Sequence, residues 1–400
     1  MKMLRHIFLP VCAVMLLAGC HKDHGSGDGP DSPAERTVLV YMVAANTLGI
    51  DATLDGVSIG KADDNDIAEM LSIAPSCLDD RHRLLVFRDR YEGMPGLYEI
   101  RDGKISLVKE YDRTAGSLDV ARMRTVIADA KKLSPADNFA LVLWSHANGW
   151  LEDGTDASAD ASAAGSGRQR SFGIDRGRRM NVTDLAKALD GQQLEYLYFD
   201  CCLMGSVEVA YELRNATPYI VASTSELPRG GMPYQLTLPA LMLGAPAGIV
   251  EAAATTFDYY AANPEPRFRT CTLSVIRTSA LDRLAAATAA VYSGAQLRHP
   301  GPDVTNYNAV ATYGYWIDFG EYVSALAALP GRDAALGAEF SSALAETVIY
   351  EQATDKVWNI YPVYHHSGLS TFVFNSPDAF TDKGYDHLAW ARDVVSHHLD

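Results

Sequence analysis

Long apolar runs recur along this chain, and several stop abruptly at small or polar residues. Arg36 to Asn46 is nearly continuous in strand formers, as in a strand covered on both faces. Arg83 to Arg88, Asn138 to Trp144, Leu194 to Phe199, Tyr219 to Glu226, Thr270 to Ile276 and Gly368 to Phe374 read as further strands. Between them, apolar residues at helical spacing predict helices near 67–73, 119–132, 184–189, 206–213, 247–262, 280–293 and 333–350. Pro246 suits the first turn of the fifth of these. Gly96 to Asp112 alternates about Asp102-Gly103, a hairpin signal. Strands alternating with helices imply an α/β fold with a mostly parallel central sheet and helices on both faces. The pattern divides into a main domain over 35–262 and a C-terminal α/β subdomain over 263–400. Within the first, 151–180 reads as a flexible insert. Asp153 to Ser166 is almost entirely Asp, Ala, Ser, Gly and Thr, and Arg168, Arg170, Arg176, Arg178 and Arg179 follow.

Composition narrows the picture. The chain has 400 residues and a net charge of −16, which argues against wholesale nucleic-acid binding. At the start, Lys2 and Arg5 precede an apolar core from Ile7 to Leu17 that is too short for a membrane span. Leu17-Ala18-Gly19-Cys20 resembles the lipobox of bacterial lipoproteins. That resemblance implies cleavage of a 1–20 signal peptide before Cys20, a lipid on its sulfur, and anchorage in the cell envelope, periplasmic or surface-exposed. The plainer alternative is an ordinary secretory signal. Residues 21–34 read as a polar tether. Beyond this, Cys77, Cys201, Cys202 and Cys271 are too sparse for a disulfide scaffold, and no His/Cys cluster has zinc spacing. No phosphate-binding loop and no internal repeat are present.

The chemistry concentrates at two strand ends. One run ends in Trp144-Ser145-His146-Ala147-Asn148-Gly149-Trp150, the other in Asp200-Cys201-Cys202-Leu203-Met204-Gly205. Open α/β sheets carry their chemistry at the carboxyl ends of strands. A Cys nucleophile needs a base or charged neighbour to ionise at neutral pH, and His is the usual one. The helix predicted after Cys202 would add a positive dipole end. Asp200 is open to two readings, a cap on that helix or a pocket acid. The Arg-rich stretch is either a solvated loop or a protease target.

These stretches together resemble the clostripain family of cysteine peptidases, relatives of caspases, legumain and gingipains. The His precedes the Cys by about the 50 residues usual in caspase-like enzymes. Thr37 to Met42, the Gly231-Met232-Pro233-Tyr234 loop, Ile317-Asp318-Phe319 and Ser367 to Ser370 also have counterparts in that family. The resemblance implies a caspase-haemoglobinase-like fold and hydrolysis of polypeptides after Arg or Lys through an acyl-enzyme. It implies Cys202 as nucleophile, His146 as general acid/base, the Ala147 and Cys202 backbone N–H groups as oxyanion donors, and Asp200 as the floor of the specificity pocket. It also implies self-processing between His146 and Cys202, with Arg168 and Arg170 as candidate sites. No cofactor is expected; some relatives depend on calcium, with no ligands assignable here. A monomer is expected. Three positions depart from the family pattern. Ala147 replaces a Gly, Cys201 replaces an Ala, and Ala44-Ala45-Asn46 lacks an acid often found there. Ala147 and Cys201 motivate a rival reading, a catalytically inactive surface lipoprotein that serves as a binding module.

Overall fold

A computed structural model describes residues 33–151, 171–295, 297, 304–308, 314–374 and 384–396. Its centre is a nine-stranded sheet. In chain order the strands are β1 Ala34–Val43, β2 His82–Asp89, β3 Gly96–Arg101, β4 Lys104–Glu110, β5 Ala136–Trp144, β6 Leu197–Asp200, β7 Tyr219–Ala222, β8 Thr272–Arg277 and β9 Val348–Ala353. Across the sheet the order is β9-β8-β7-β6-β5-β1-β2-β3-β4. The five strands from β7 to β2 run parallel, and an antiparallel pair extends each edge.

The apolar runs are continuous because both faces are covered. Leu39, Tyr41 and Val43 of β1 enter one core; Val38, Val40 and Met42 enter the other. The first core is shared with α2 Val120–Leu133, α3 Val182–Leu189 and α4 Val207–Glu212. The second is shared with α1 Ala62–Cys77, α5 Tyr234–Leu243 and α6 Ala247–Ala261. Leu281–Tyr292 (α7), Phe319–Ala327 (α8) and Ala334–Thr347 (α9) add to the first side. Asp102 and Gly103 turn between β3 and β4 with φ of 52° and 66°, the conformation the Asp-Gly signal demands.

Several expectations change. The boundary placed at 262 is no break in the sheet. β8 and β9 follow it in sequence, yet β8 pairs antiparallel with β7 and β9 antiparallel with β8, and both sides belong to one compact unit. Part of the span read as a flexible insert, 151–180, is structured. Residues 171–180 form a hairpin of Phe172–Asp175 and Arg178–Met180, with Phe172 through Asp175 buried. Arg168, Arg170 and Cys20 lie outside the described residues. The helix read over 333–350 stops at Thr347, and Val348-Ile349-Tyr350, stiff and rich in strand formers, opens β9.

Candidate active site

Two neighbouring strands bring the predicted residues together. β5 and β6 are adjacent and parallel, with Trp144 paired to Asp200. His146 and Cys202 each lie two positions beyond that pair, so both leave the sheet at the same level on strands about 4.8 Å apart.

The His side is held from three directions. Ser145 is buried; its Oγ donates to the Val43 carbonyl (2.9 Å) and accepts from the Ile174 N–H (3.2 Å). The His146 carbonyl accepts from Gly173 N–H (2.8 Å), and Asn148 N–H donates to Ser171 (3.1 Å). Those two bonds flank Ala147, which faces Phe172 as a non-hydrogen-bonded pair. Its amide therefore stays outside that ladder. Ala147 also avoids positive φ, so the replacement of a family glycine costs no strain here. Thr47 Oγ1 lies 2.7 Å from His146 Nε2. Just beyond, Gly149 has φ of 69°, and a Cβ there would meet the Trp316 ring at 2.4 Å. Trp150 is fully buried, edge-on to Phe372 and Tyr385.

Arg176 proves to be a strut within what reads as a flexible basic segment. Its guanidinium forks onto buried Asp89 at 3.0 Å twice, and its N–H donates to Ala45 (2.9 Å). The sequence signal available was only the short Phe-Gly-Ile-Asp run before it.

On the Cys side, Cys201 is buried in the core and Cys202 is a partly exposed residue. Cys202 Sγ accepts from the Leu227 N–H at 3.4 Å. Burial, then the charges of Glu226 and Asp200, push this thiol up to about 12 against the pull of that N–H. Burial in this arrangement disfavours the thiolate. The turn after it is tight: Leu203 has φ of 62°, and a Cβ on Gly205 would meet the Ser223 carbonyl carbon at 2.7 Å. The helix begins only at Val207 and is capped by Ser206 Oγ on Val209 N–H (3.3 Å). The expected dipole support is thus displaced from Cys202, and the cap is Ser206, not Asp200.

Asp200 instead turns to the face of the sheet that carries Tyr198 and α5. It is 4% exposed, and its two oxygens accept from Met232 N–H (2.8 Å) and Tyr234 O–H (2.9 Å). A Cβ on Gly231 would lie 2.6 Å from Asp200 Oδ1, so this loop requires glycine. Burial raises the carboxyl to about 6, while those two donors hold it down. Two acids from α1 stand nearby and were not singled out from sequence. Asp66 accepts from Trp144 Nε1 (2.6 Å), and burial together with Asp200 raises it well above the usual range. Glu69 accepts from Tyr234 N–H (2.9 Å) and is raised to about 7, chiefly by burial. Their i, i+3 spacing puts both on one helix face, the one available signal. Arg229 of the same loop donates to the carbonyls of Thr47 (2.7 Å), Leu48 (3.1 Å) and Ile50 (2.9 Å). Glu226 accepts from Trp358 Nε1 (2.9 Å). Among the described residues, no group of three or more His, Cys, Asp or Glu is arranged to hold a metal ion, so no calcium ligands are assigned.

A helix-flanked parallel sheet with a His and a Cys at the ends of adjacent strands is the architecture of a caspase-like cysteine protease. The clostripain family model matches residues 50–370, and the chain belongs to that family of cysteine peptidases. A secreted C11 cysteine protease from Bacteroides thetaiotaomicron, solved with an irreversible peptide inhibitor, is 26% identical with a TM-score of 0.71. The match covers 90% of this chain and 99% of that one. An inactive zymogen C11 protease from Parabacteroides distasonis is also 26% identical, with a TM-score of 0.72 over 91% and 99% of the two chains. No curated protein sequence matches the chain. Among the described residues, no helix is long and apolar enough to cross a membrane.

Proposed function

We propose that this peptidase cleaves polypeptides after Arg or Lys, with Cys202 as nucleophile and His146 as general acid/base. The observation that carries the reading is the β5–β6 register, which sets both residues two positions past one strand pair. His146 takes the Cys202 proton, and the sulfur attacks the scissile carbonyl carbon to form a C–S bond. The backbone N–H groups of Ala147 and Cys202 stabilise the oxyanion, each supplying about 3 kcal/mol where the geometry is right. As the C–N bond breaks, His146 returns its proton to the leaving amine. Water then attacks the thioester with His146 as base, and the acid product leaves.

Asp200 forms the floor of the specificity pocket. A buried carboxylate pairs well with a guanidinium or ammonium, and an incoming cation would favour ionisation of Asp200 and of its neighbours Asp66 and Glu69, which burial otherwise opposes. The Cys202 thiol, its ionisation opposed by burial and its sulfur held on Leu227, suits a chain that needs processing before it works. Cleavage at Arg168 or Arg170 would supply that step, and the zymogen among its structural neighbours supports this. The leader implies a lipid on Cys20 and an envelope location, in keeping with the secreted neighbour. We read the protein as a monomer that needs no cofactor.

The test is turnover of Arg-, Lys- and Asp-ended fluorogenic peptides under reducing conditions by the mature chain. Arg or Lys turnover that falls to blank in Cys202→Ala and in His146→Ala is expected. Unchanged turnover in either variant would contradict the assignment. A folded chain inactive even after nicking near Arg170 would indicate a binding protein.

A further inference from the structure

The loop after β1 does more than return the chain. Asn46 is buried; its Nδ2 donates to the Val43 and Ile174 carbonyls (both 2.8 Å), and its Oδ1 accepts from Leu48 N–H (2.8 Å). A Cβ on Gly49 would fall 1.9 Å from the Ala44 carbonyl oxygen, so the turn is closed to any larger residue. Thr47 is therefore presented from a fixed turn, with its hydroxyl 2.7 Å from His146 Nε2. Arg229 grips the same turn through the carbonyls of Thr47, Leu48 and Ile50. Two residues on, Gly231 packs against Asp200, and Met232 donates to it.

We propose that Thr47 is a positioning residue for His146, and that Arg229 couples it to the loop that lines the Asp200 pocket. This deepens the peptidase reading and rests on it. A hydroxyl suits the task because it rotates about its Cβ–Oγ bond. It accepts from Nε2–H both in the neutral ring whose bare Nδ1 can take a proton and in the charged ring that results. Holding Nε2 fixes the ring plane and directs Nδ1 to the proton that Cys202 gives and the leaving group receives. Arg229 adds direction from the pocket: substrate side chains that seat against the 229–234 loop brace the turn that aims His146. The guanidinium reaches the carbonyls of Thr47, Leu48 and Ile50 from two nitrogens held in one planar fork, a span that the single nitrogen of an ammonium does not reproduce.

The experiment compares Thr47→Val, Thr47→Ser, Arg229→Lys and the Thr47→Val/Arg229→Lys double variant in the mature chain. Cys202→Ala and His146→Ala run beside them, with an Arg-ended peptide as substrate. Thr47→Val should lower kcat by about tenfold or more with KM changed less than about twofold, since misplacing a catalytic group acts on the chemical step. Thr47→Ser should recover most of kcat. The double variant should be no slower than the slower single variant. Cys202 alkylation by iodoacetamide gives a second readout independent of turnover, and it should slow in Thr47→Val and recover in Thr47→Ser. Should Thr47→Val fail to fold, Thr47→Ala replaces it in the same comparison. Wild-type kcat and alkylation in Thr47→Val, with His146→Ala inactive, would overturn this inference alone. So would a Thr47→Ser variant as slow as Thr47→Val. Multiplying losses in the double variant would overturn the coupling through Arg229. Full turnover in His146→Ala would instead overturn the underlying catalytic reading.

Discussion

At the residue scale, the pocket acid sets a pH dependence. The Asp200 carboxyl is raised to about 6 by burial, above its unfolded value. Its contribution to stability is therefore fullest when protonated and is lost as pH rises through about 6. Asp66 and Glu69 are raised in the same direction. The empty enzyme should melt at a lower temperature at pH 8 than at pH 5.5 on their account, and Asp200→Asn should narrow that gap. A melting series in both proteins checks this; an equal gap would contradict it. Binding of an Arg side chain needs the ionised form, so kcat/KM for Arg peptides should fall with decreasing pH below about 6. Asp66 and Glu69 were not legible beforehand because charged residues on a helix look like a solvated face. His146, Cys202 and Asp200 stand out as candidates because acid, thiol and imidazole lie where apolar runs end. Cys202 is chosen over Cys201 because it directly precedes Leu203-Met204, as in the family motif.

At the scale of elements, the His motif is secured by the two residues on its C-terminal side. Gly149 at φ 69° presses on Trp316, and Trp150 fills an aromatic cluster with Phe372 and Tyr385. Gly149→Ala combines a strained φ with overpacking and should cost roughly 2–4 kcal/mol. Urea unfolding checks it; a midpoint equal to that of the parent would refute the packing argument. The buried strands were readable because two-sided burial demands unbroken apolar runs. Helix α5 escaped notice because Pro233 precedes it and Pro239 lies inside it, both signals of loop. The 171–180 hairpin was hidden by its shortness and its arginines. Its order comes from distant partners, Asp89 and Ala45 for Arg176, and Ser145 for Ile174. Local pattern carries no trace of such partners.

At the scale of the molecule, the alternation of strands and helices disclosed the central sheet but not its extent. β8 and β9 look like members of a separate subdomain because nothing local says which sheet a strand joins. β8 pairs onto β7 and β9 onto β8, so they extend one side of the sheet. The order of strands also predicts the outcome of processing. Cleavage between Leu151 and Ser171 would separate β5 from β6 in sequence, yet the two strands are neighbours in the sheet. The nicked protein should give two bands on a denaturing gel and one peak on native sizing. Two native peaks would show that the sheet does not hold the halves together.

The central claim is that Cys202 is a working nucleophile served by a pocket for a cationic side chain. It is tested most directly by labelling the processed mature chain with a thiol-reactive peptide ending in Arg. The modified residue is then located by mass spectrometry, beside a probe of the same length ending in Asp. Stoichiometric label on Cys202 is expected from the Arg probe, little from the Asp probe, and none from the Arg probe in Asp200→Asn at equal concentration. Label on Cys201, or equal labelling of Cys202 by both probes, would contradict the claim.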